Sequence, residues 1–270
     1  MHLVTAIAPD VRPRPAPYAV TAEFYDILHA DEDGPLVRRL YGPAVAGARL
    51  GVLDVGAGTG RVTLMSVAES RADVHAVEPS RAMRISLTTR LAALPAAARE
   101  RVTVHPRPLD EAALHAVADV AVCHNTVACL PPAARSALWP SIATALSPGG
   151  SLLLHLPPAR LPAQDVVRVF TERRIGRHEY GGRMVLSAVG DRIRTRVDYR
   201  VRAGGRVLRE HTETFWMWPA SRSALVRDLE RHGFTPSPRP ADPAVLAMTL
   251  RRGRTAGAGV TTGAVRRPGG

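Results

Sequence analysis

Apolar positions along this chain recur with two different periods, and the change falls near residue 156. Before it, short apolar runs alternate with stretches of helical spacing. Two helical stretches come first, at 18–30 and 34–46. Strands are predicted at 50–55, 74–77, 102–105, 120–123 and 151–156, with helices at 61–70, 80–94, 111–117 and 133–145 between them. Strands alternating with helices at this spacing predict an α/β, doubly wound, mostly parallel sheet covered by helices on both faces.

After residue 156 the period becomes two. Over 192–202, Ile193, Thr195, Val197, Tyr199 and Val201 fall on one face; Arg192, Arg194, Arg196, Asp198, Arg200 and Arg202 fall on the other. That is the pattern of a half-buried antiparallel strand. Gly190-Asp191 and Ala203-Gly204-Gly205 are hairpin turn sequences, so flanking strands at 184–189 and 207–218 complete a three-stranded meander. A helix at 221–231, with Ser221 as N-cap and Gly233 past its end, precedes a last strand at 244–251.

Composition narrows the reading. The 36 Lys+Arg positions are all arginine, and against 24 acids they give a net charge of +12. Asn and Gln occur once each, as Asn125 and Gln164, the usage of a GC-rich coding sequence, so part of the basicity is drift. The excess is also uneven: residues 1–150 hold 14 Arg and 14 acids, and residues 151–270 hold 22 Arg and 10 acids. Any electrostatic preference for a partner therefore belongs to the second half. Cys123 and Cys129 are too few for a disulfide framework and lack zinc spacing, so no metal is expected. No apolar run nears the roughly 18 residues of a membrane span, and the first residues lack the form of a secretory signal. The expectation is a cytoplasmic protein without membrane contact.

Chemistry concentrates in VLDVGAGTG, residues 52–60. A buried strand ends in Asp54 and is followed by Gly56, Gly58 and Gly60, which let the backbone approach a ligand where a side chain would block it. The helix that follows offers free N–H groups and a positive dipole end. A dinucleotide fingerprint requires G-x-G-x-x-G; here Arg61 occupies the third position and the glycine comes one residue early, which disfavours a nicotinamide oxidoreductase. VHAVEPS, residues 74–80, then places Glu78 at the end of the next strand, where a carboxylate accepts two hydrogen bonds from a ribose diol.

These segments, with VHAVEPSRAM, ADVAVCHNTVACL and LSPGGSLLLHLP in this order, resemble the successive motifs of class I S-adenosylmethionine-dependent methyltransferases. The resemblance spans about residues 18–156, and Gly233-Phe234 is similar to the family's late helix-to-strand corner. AEFYDILHADED resembles the lid helix of N-methyltransferases of bacterial specialised metabolism, the amino-sugar dimethyltransferases among them. The resemblance implies a Rossmann-like seven-stranded sheet with the antiparallel three-stranded lobe inserted after the fifth strand. It divides the chain into a flexible proline-rich arm (1–17), lid helices (18–48), a core binding S-adenosyl-L-methionine (49–158), an inserted lobe that covers substrate or contacts a second copy (159–220), a return to the core (221–252) and a loose tail (253–270).

The same resemblance implies that Asp54 and the loop of Gly56, Ala57, Gly58 and Gly60 hold the methionine part of the cofactor. Glu78 would take the ribose hydroxyls, Met83 would lie against the adenine, and Tyr25 would close over the site. Asn125, or its neighbour His124, would meet the cofactor at the end of the fourth strand. Pro108 stands where the family often has an acid for the adenine amino group; Asp110 or a backbone contact would replace it.

Methyl transfer from a sulfonium is an in-line displacement, so alignment carries most of the catalysis and a general base is an aid. His124 and His155 end the fourth and fifth strands, where acceptors bind in open parallel sheets; His29 on the lid is a third candidate. Each is also readable as a structural histidine. Phe215, Trp216 and Trp218 line an acceptor pocket or pack beneath the lobe. The arginine row attracts an acidic partner or, as favoured here, forms a solvated face paired with Glu210 and Glu213.

The leading function is N-methylation of an amine on a small molecule or ribosomally made peptide in natural-product biosynthesis. Alternatives are an O-methyltransferase, a basic RNA methyltransferase and a non-catalytic subunit that binds the cofactor. A base-methylating enzyme usually carries an Asn/Asp-Pro-Pro-aromatic turn after the fourth strand; this chain has His124-Asn125-Thr126-Val127 there.

Overall fold

The computed structural model describes residues 18–238 and 242–252. The expected arm and tail lie outside the described residues. Two helices open the described chain, α1 (Thr21–Leu28) and α2 (Ala30–Ala46). In α2 the stripe Val37, Leu40, Tyr41 and Val45 recurs at helical spacing and is buried against the first sheet.

The alternating half then builds β1 (Gly51–Val55), α3 (Arg61–Glu69), β2 (Asp73–Val77), α4 (Arg81–Ala92), the short α5 (Ala96–Arg99), β3 (Val102–His105), β4 (Ala118–Cys123), α6 (Pro132–Ala145) and β5 (Leu146–His155). Beyond the lobe the chain returns as α7 (Arg222–Glu230), β11 (Phe234–Pro236) and β12 (Val245–Leu250). The sheet order is β11-β12-β5-β4-β1-β2-β3. The first five strands run parallel, whereas β12 pairs antiparallel with β5 and β11 antiparallel with β12. Burial from both sides accounts for the near-continuous apolar character of β1 and β4, interrupted by Asp54 and Asp119. On one side Trp139 of α6 is wholly buried with Leu225 and Leu229 of α7, and its indole N–H donates to Asp228 Oδ2 at 2.7 Å. The strand order reverses between β1 and β4, and the cleft outside that reversal is where such sheets bind ligands.

Between β5 and α7 a second sheet is inserted: β6 (Val166–Val169), β7 (Arg173–Ile175), β8 (His178–Val189), β9 (Arg192–Ala203) and β10 (Arg206–Met217). Its order is β10-β9-β8-β6, with β7 also on β8, all antiparallel. The alternation in β9 holds: Ile193, Thr195, Val197, Tyr199 and Val201 are buried. The buried face receives α1, with Phe24 stacked on Tyr199 at 4.5 Å between centroids.

Three expectations are corrected. The lobe has five strands instead of three, because Val166–Val169 and Arg173–Ile175 lie on β8 with side chains largely exposed and so carry no alternation. The helix expected at 111–117 is only a 3-10 turn at Leu109–Glu111. Ala113 and Ala116 are left-handed, and the N–H groups of Ala116 and Val117 donate to Thr144 and Ala145 of α6. Glu213 does not pair with the arginine row. It lies opposite Val197, and its carboxylate accepts the Thr21 N–H of α1 at 2.7 Å. The row is paired instead by Asp198, with Arg183 and Arg196, and by Glu172, with Arg200 and Arg202.

Candidate active site

The glycine loop leaves β1 with Gly56, Gly58 and Gly60 all at positive φ. At Gly56 a side chain would meet Thr126 Oγ1 at 2.4 Å, and at Gly60 it would meet Leu87 Cδ1 at 2.5 Å, so both positions exclude anything larger. The N–H groups of Gly56 and Ala57 both donate to Val77 O, tying the loop to the end of β2. Gly60 caps α3 in the left-handed region. Thr126, which the sequence reading passed over, donates through Oγ1 to Val55 O at 2.8 Å and so fixes the β4 turn against the loop.

Asp54 and Glu78 divide their work. Asp54 is buried at the end of β1 and accepts the Thr63 hydroxyl at 2.6 Å. It pins the first turns of α3 beneath the loop. Burial raises its pKa to about 7, with the Thr63 bond opposing the rise. Glu78 accepts Gly58 N–H and Ser80 N–H, each at 2.7 Å. Desolvation raises this acid too, offset by those two bonds. A carboxylate has about four lone-pair positions, so two remain for the hydroxyls of a ribose. A buried acid at the mouth of a glycine loop, held by two backbone donors with acceptor positions left over, suits an adenosine sugar; this donor set fits S-adenosylmethionine.

Over the loop lies α1. Asp26 Oδ1 accepts the Thr59 hydroxyl at 2.7 Å and lies 3.3 Å from Arg61 Nη2, and Oδ2 pairs with Arg90 at 2.7 Å. The Arg61 guanidinium sits 4.4 Å from the centre of the Tyr25 ring, which brings Tyr25 to the start of α3. Tyr18 is left-handed and stacks on Phe215 at 5.0 Å. Burial holds its hydroxyl far above the ordinary tyrosine value. Met83 is buried in the first turn of α4, where its N–H meets the capping Ser80. Asp110 is exposed on the 3-10 turn and has no hydrogen bond to another described residue of this group.

Across the strand ends stands a second group. His155 Nδ1 donates to Asn125 Oδ1 at 2.6 Å, Asn125 Nδ2 donates to His124 Nε2 at 3.3 Å, and His124 Nδ1 lies 3.0 Å from the Tyr41 hydroxyl. The two imidazoles stack at 5.2 Å. Burial, with His155 and Arg61 nearby, pushes His124 down to about 3. His155 is lowered by burial while Asp242 acts in the opposite sense. Asn125 sits at φ 56, a conformation asparagine tolerates better than most residues. His29, the third histidine candidate, instead packs between Tyr25 and Phe170. Of the three lobe aromatics, Phe215 joins the α1 cluster. Trp216 lies on the opposite face under Arg192, and Trp218 hydrogen-bonds through its backbone to Ala128 and Arg135.

The architecture is that of a Rossmann-like α/β protein with the glycine loop and its acid at the strand ends. Residues 53–152 match the family model described as a methyltransferase domain. The chain therefore carries a class I, S-adenosylmethionine-dependent methyltransferase domain. No match was found among curated protein sequences. Solved structures are similar in fold. The amino pentose methyltransferase CalS10 of Micromonospora echinaspora, solved with S-adenosylmethionine bound and involved in calicheamicin biosynthesis, aligns with a TM-score of 0.63 at 20% identity, over 82% of this chain and 91% of that one. The sugar N-methyltransferase KedS8 of a Streptoalloteichus species gives 0.65 at 19%, over 94% and 100%. The glycopeptide N-methyltransferase MtfA, complexed with S-adenosylhomocysteine, gives 0.54 at 20%, over 81% and 86%. No helix among the described residues is long and apolar enough to cross a membrane.

Proposed function

We propose that this protein methylates an amine nitrogen of a small molecule or ribosomally made peptide in natural-product biosynthesis. When bound, S-adenosylmethionine supplies an electrophilic methyl group on a sulfonium that leaves as a neutral thioether. In this reading Glu78 takes the ribose hydroxyls, and the loop of Gly56, Ala57, Gly58 and Gly60 admits the methionine part. Asp54 shapes that loop through Thr63, Met83 lines the adenine side, and Tyr25 covers the site from α1. Asp110 is the weakest member, since it points to solvent in the conformation described.

The observation that carries the reading is the group of uncharged acceptor and donor atoms on Asn125, His124 and His155 at the ends of β4 and β5. Such a group suits a basic nitrogen that must lose a proton before it attacks. The arginine row supports the same choice by its position: it lies on the face of the lobe opposite α1 and is partnered by Asp198 and Glu172. That arrangement does not favour nucleic acid at the site. The similar structures, an amino pentose methyltransferase and sugar and glycopeptide N-methyltransferases, support an amine acceptor.

The test is transfer of a labelled methyl group to three acceptors: a nucleotide-linked amino sugar, its hydroxyl analogue and a peptide with a free amine. Label on nitrogen is the expected result. Label on the hydroxyl analogue alone, or on RNA added as a fourth arm, overturns the amine reading. A second copy of the chain belongs to the proposal as well. The edge strand β6 leaves Val166, Val167 and Val169 exposed, and sedimentation of the purified protein as a monomer at all concentrations removes that part.

A further inference from the structure

We propose that His155 is the proton acceptor for the incoming amine, and that Asn125, His124 and Tyr41 are positioning residues that hold it in the tautomer whose Nε2 bears the lone pair. The inference rests on the methyltransferase reading above and decides between two histidines that the sequence leaves equivalent.

The hydrogen bonds permit one consistent direction. An amide nitrogen only donates, so His124 Nε2 accepts from Asn125 Nδ2. His124 Nδ1 then carries the hydrogen, which it gives to the Tyr41 hydroxyl. The amide oxygen of Asn125 only accepts, so His155 Nδ1 carries the hydrogen of their 2.6 Å bond. Both nitrogens of His124 are thus committed. His155 has Nε2 left with a lone pair, and among the described residues nothing hydrogen-bonds to it. Asn125, left-handed at φ 56, joins the two rings, and left-handed backbone outside glycine gathers at functional sites.

His155 is faced by His124, stacked on it after β4, by Asn125 and by Asp242 before β12; Tyr41 of α2 and Arg61 of α3 act on His124. Arg39 pairs with Asp242 at 2.7 Å, which limits the pull of that acid on the ring. Burial keeps His155 below the ordinary histidine value, so it enters neutral at pH 7–8. In the step proposed, an N–H bond of the acceptor ammonium breaks and its proton bonds to His155 Nε2. The bonding pair stays on nitrogen as the nucleophilic lone pair, and the half-buried imidazolium later returns the proton to water.

Long-range proton–nitrogen NMR of the imidazole rings in the free protein tests the tautomers without any acceptor. Nδ1–H on both His124 and His155 is expected, with that preference lost at His155 in Asn125→Ala and kept in Asn125→Asp. Nε2–H on His155 in the wild-type protein overturns the proposal. With the nucleotide-linked amino sugar as probe, His155→Gln lowers kcat about 100-fold or more while KM changes little. Asn125→Asp retains turnover but moves the acid limb of the kcat profile to higher pH, which a merely structural residue would not do. Unchanged kcat in His155→Gln also overturns it. Calorimetry with S-adenosylhomocysteine separates the two levels: failure of the wild-type protein to bind removes the donor reading, whereas the ring tautomers still decide the role of His155.

Discussion

In the first sheet β1 is buried at every residue, whereas in the second sheet β9 alternates over 192–202 between buried positions and half-buried or exposed ones. The first pattern follows from helices on both faces; the second from one face on α1 and one on water. The two sheets also differ in chemistry. The first positions its ligand groups with backbone, through the glycine loop and its bonds to Val77 and Glu78. The second has no such loop and meets the site through α1, which its aromatic face holds in place. In the function proposed, a donor common to many reactions would be held by the part with least freedom to vary, and the acceptor side would be built from side chains.

Breaking the aromatic face gives the largest effect. Phe24 is fully buried, so Phe24→Ala should destabilise the protein by about 3–5 kcal/mol and lower the thermal midpoint. A change under about 1 kcal/mol would mean that α1 is not held by the lobe. Next is a pH effect confined to the first sheet. The folded pKa of Asp54, about 7, lies above the unfolded carboxylate value. Between about pH 4 and 7 the unfolded chain has released a proton that the folded chain keeps. The stabilisation is therefore full below pH 4 and lost as pH rises through 7, up to roughly 4 kcal/mol. Urea unfolding at several pH values should show this slope flattened in Asp54→Asn; identical slopes would place the charge elsewhere.

Glu78→Gln should weaken S-adenosylhomocysteine binding by about 1.5–3 kcal/mol, the range for hydrogen bonds to a charged group, and should also lower the thermal midpoint, because either Gly58 N–H or Ser80 N–H loses its acceptor. Equal affinity in calorimetry would detach Glu78 from the ribose. The smallest effect belongs to the arginine face. Desolvation pushes the Asp198 carboxyl up, but its bonds to Thr212, Arg196 and Arg183 together outweigh that and hold it below the usual carboxylate value. The pair is solvated, so Asp198→Asn should cost about 1 kcal/mol or less in chemical unfolding. A larger loss would make the row a structural network.

What the sequence made legible is what its local order dictates. The glycine loop, Glu78 and the alternating strand over 192–202 are each set within a few residues, and the structure places them as read. Contacts between distant segments left no such trace. Asp26 meets Thr59 and Arg90, and Tyr41 meets His124, across separations that no period encodes. Tyr41 could be read only as part of the buried stripe of α2, although a buried hydroxyl implies a partner. Asn125 carried a partial signal, as the one asparagine of the chain. Its bonds to the two histidines were not legible, since they join the ends of two different strands.

The eight residues of α1 are fastened at both ends of the problem: Asp26 to Thr59 and Arg90 below, Thr21 and Glu23 to Tyr199, Glu213 and Arg209 above. Any movement that uncovers the glycine loop must either drag the lobe along or shear one of those two sets of bonds. In the function proposed, entry of the donor and access for the acceptor would in that sense be geared to a single short rod.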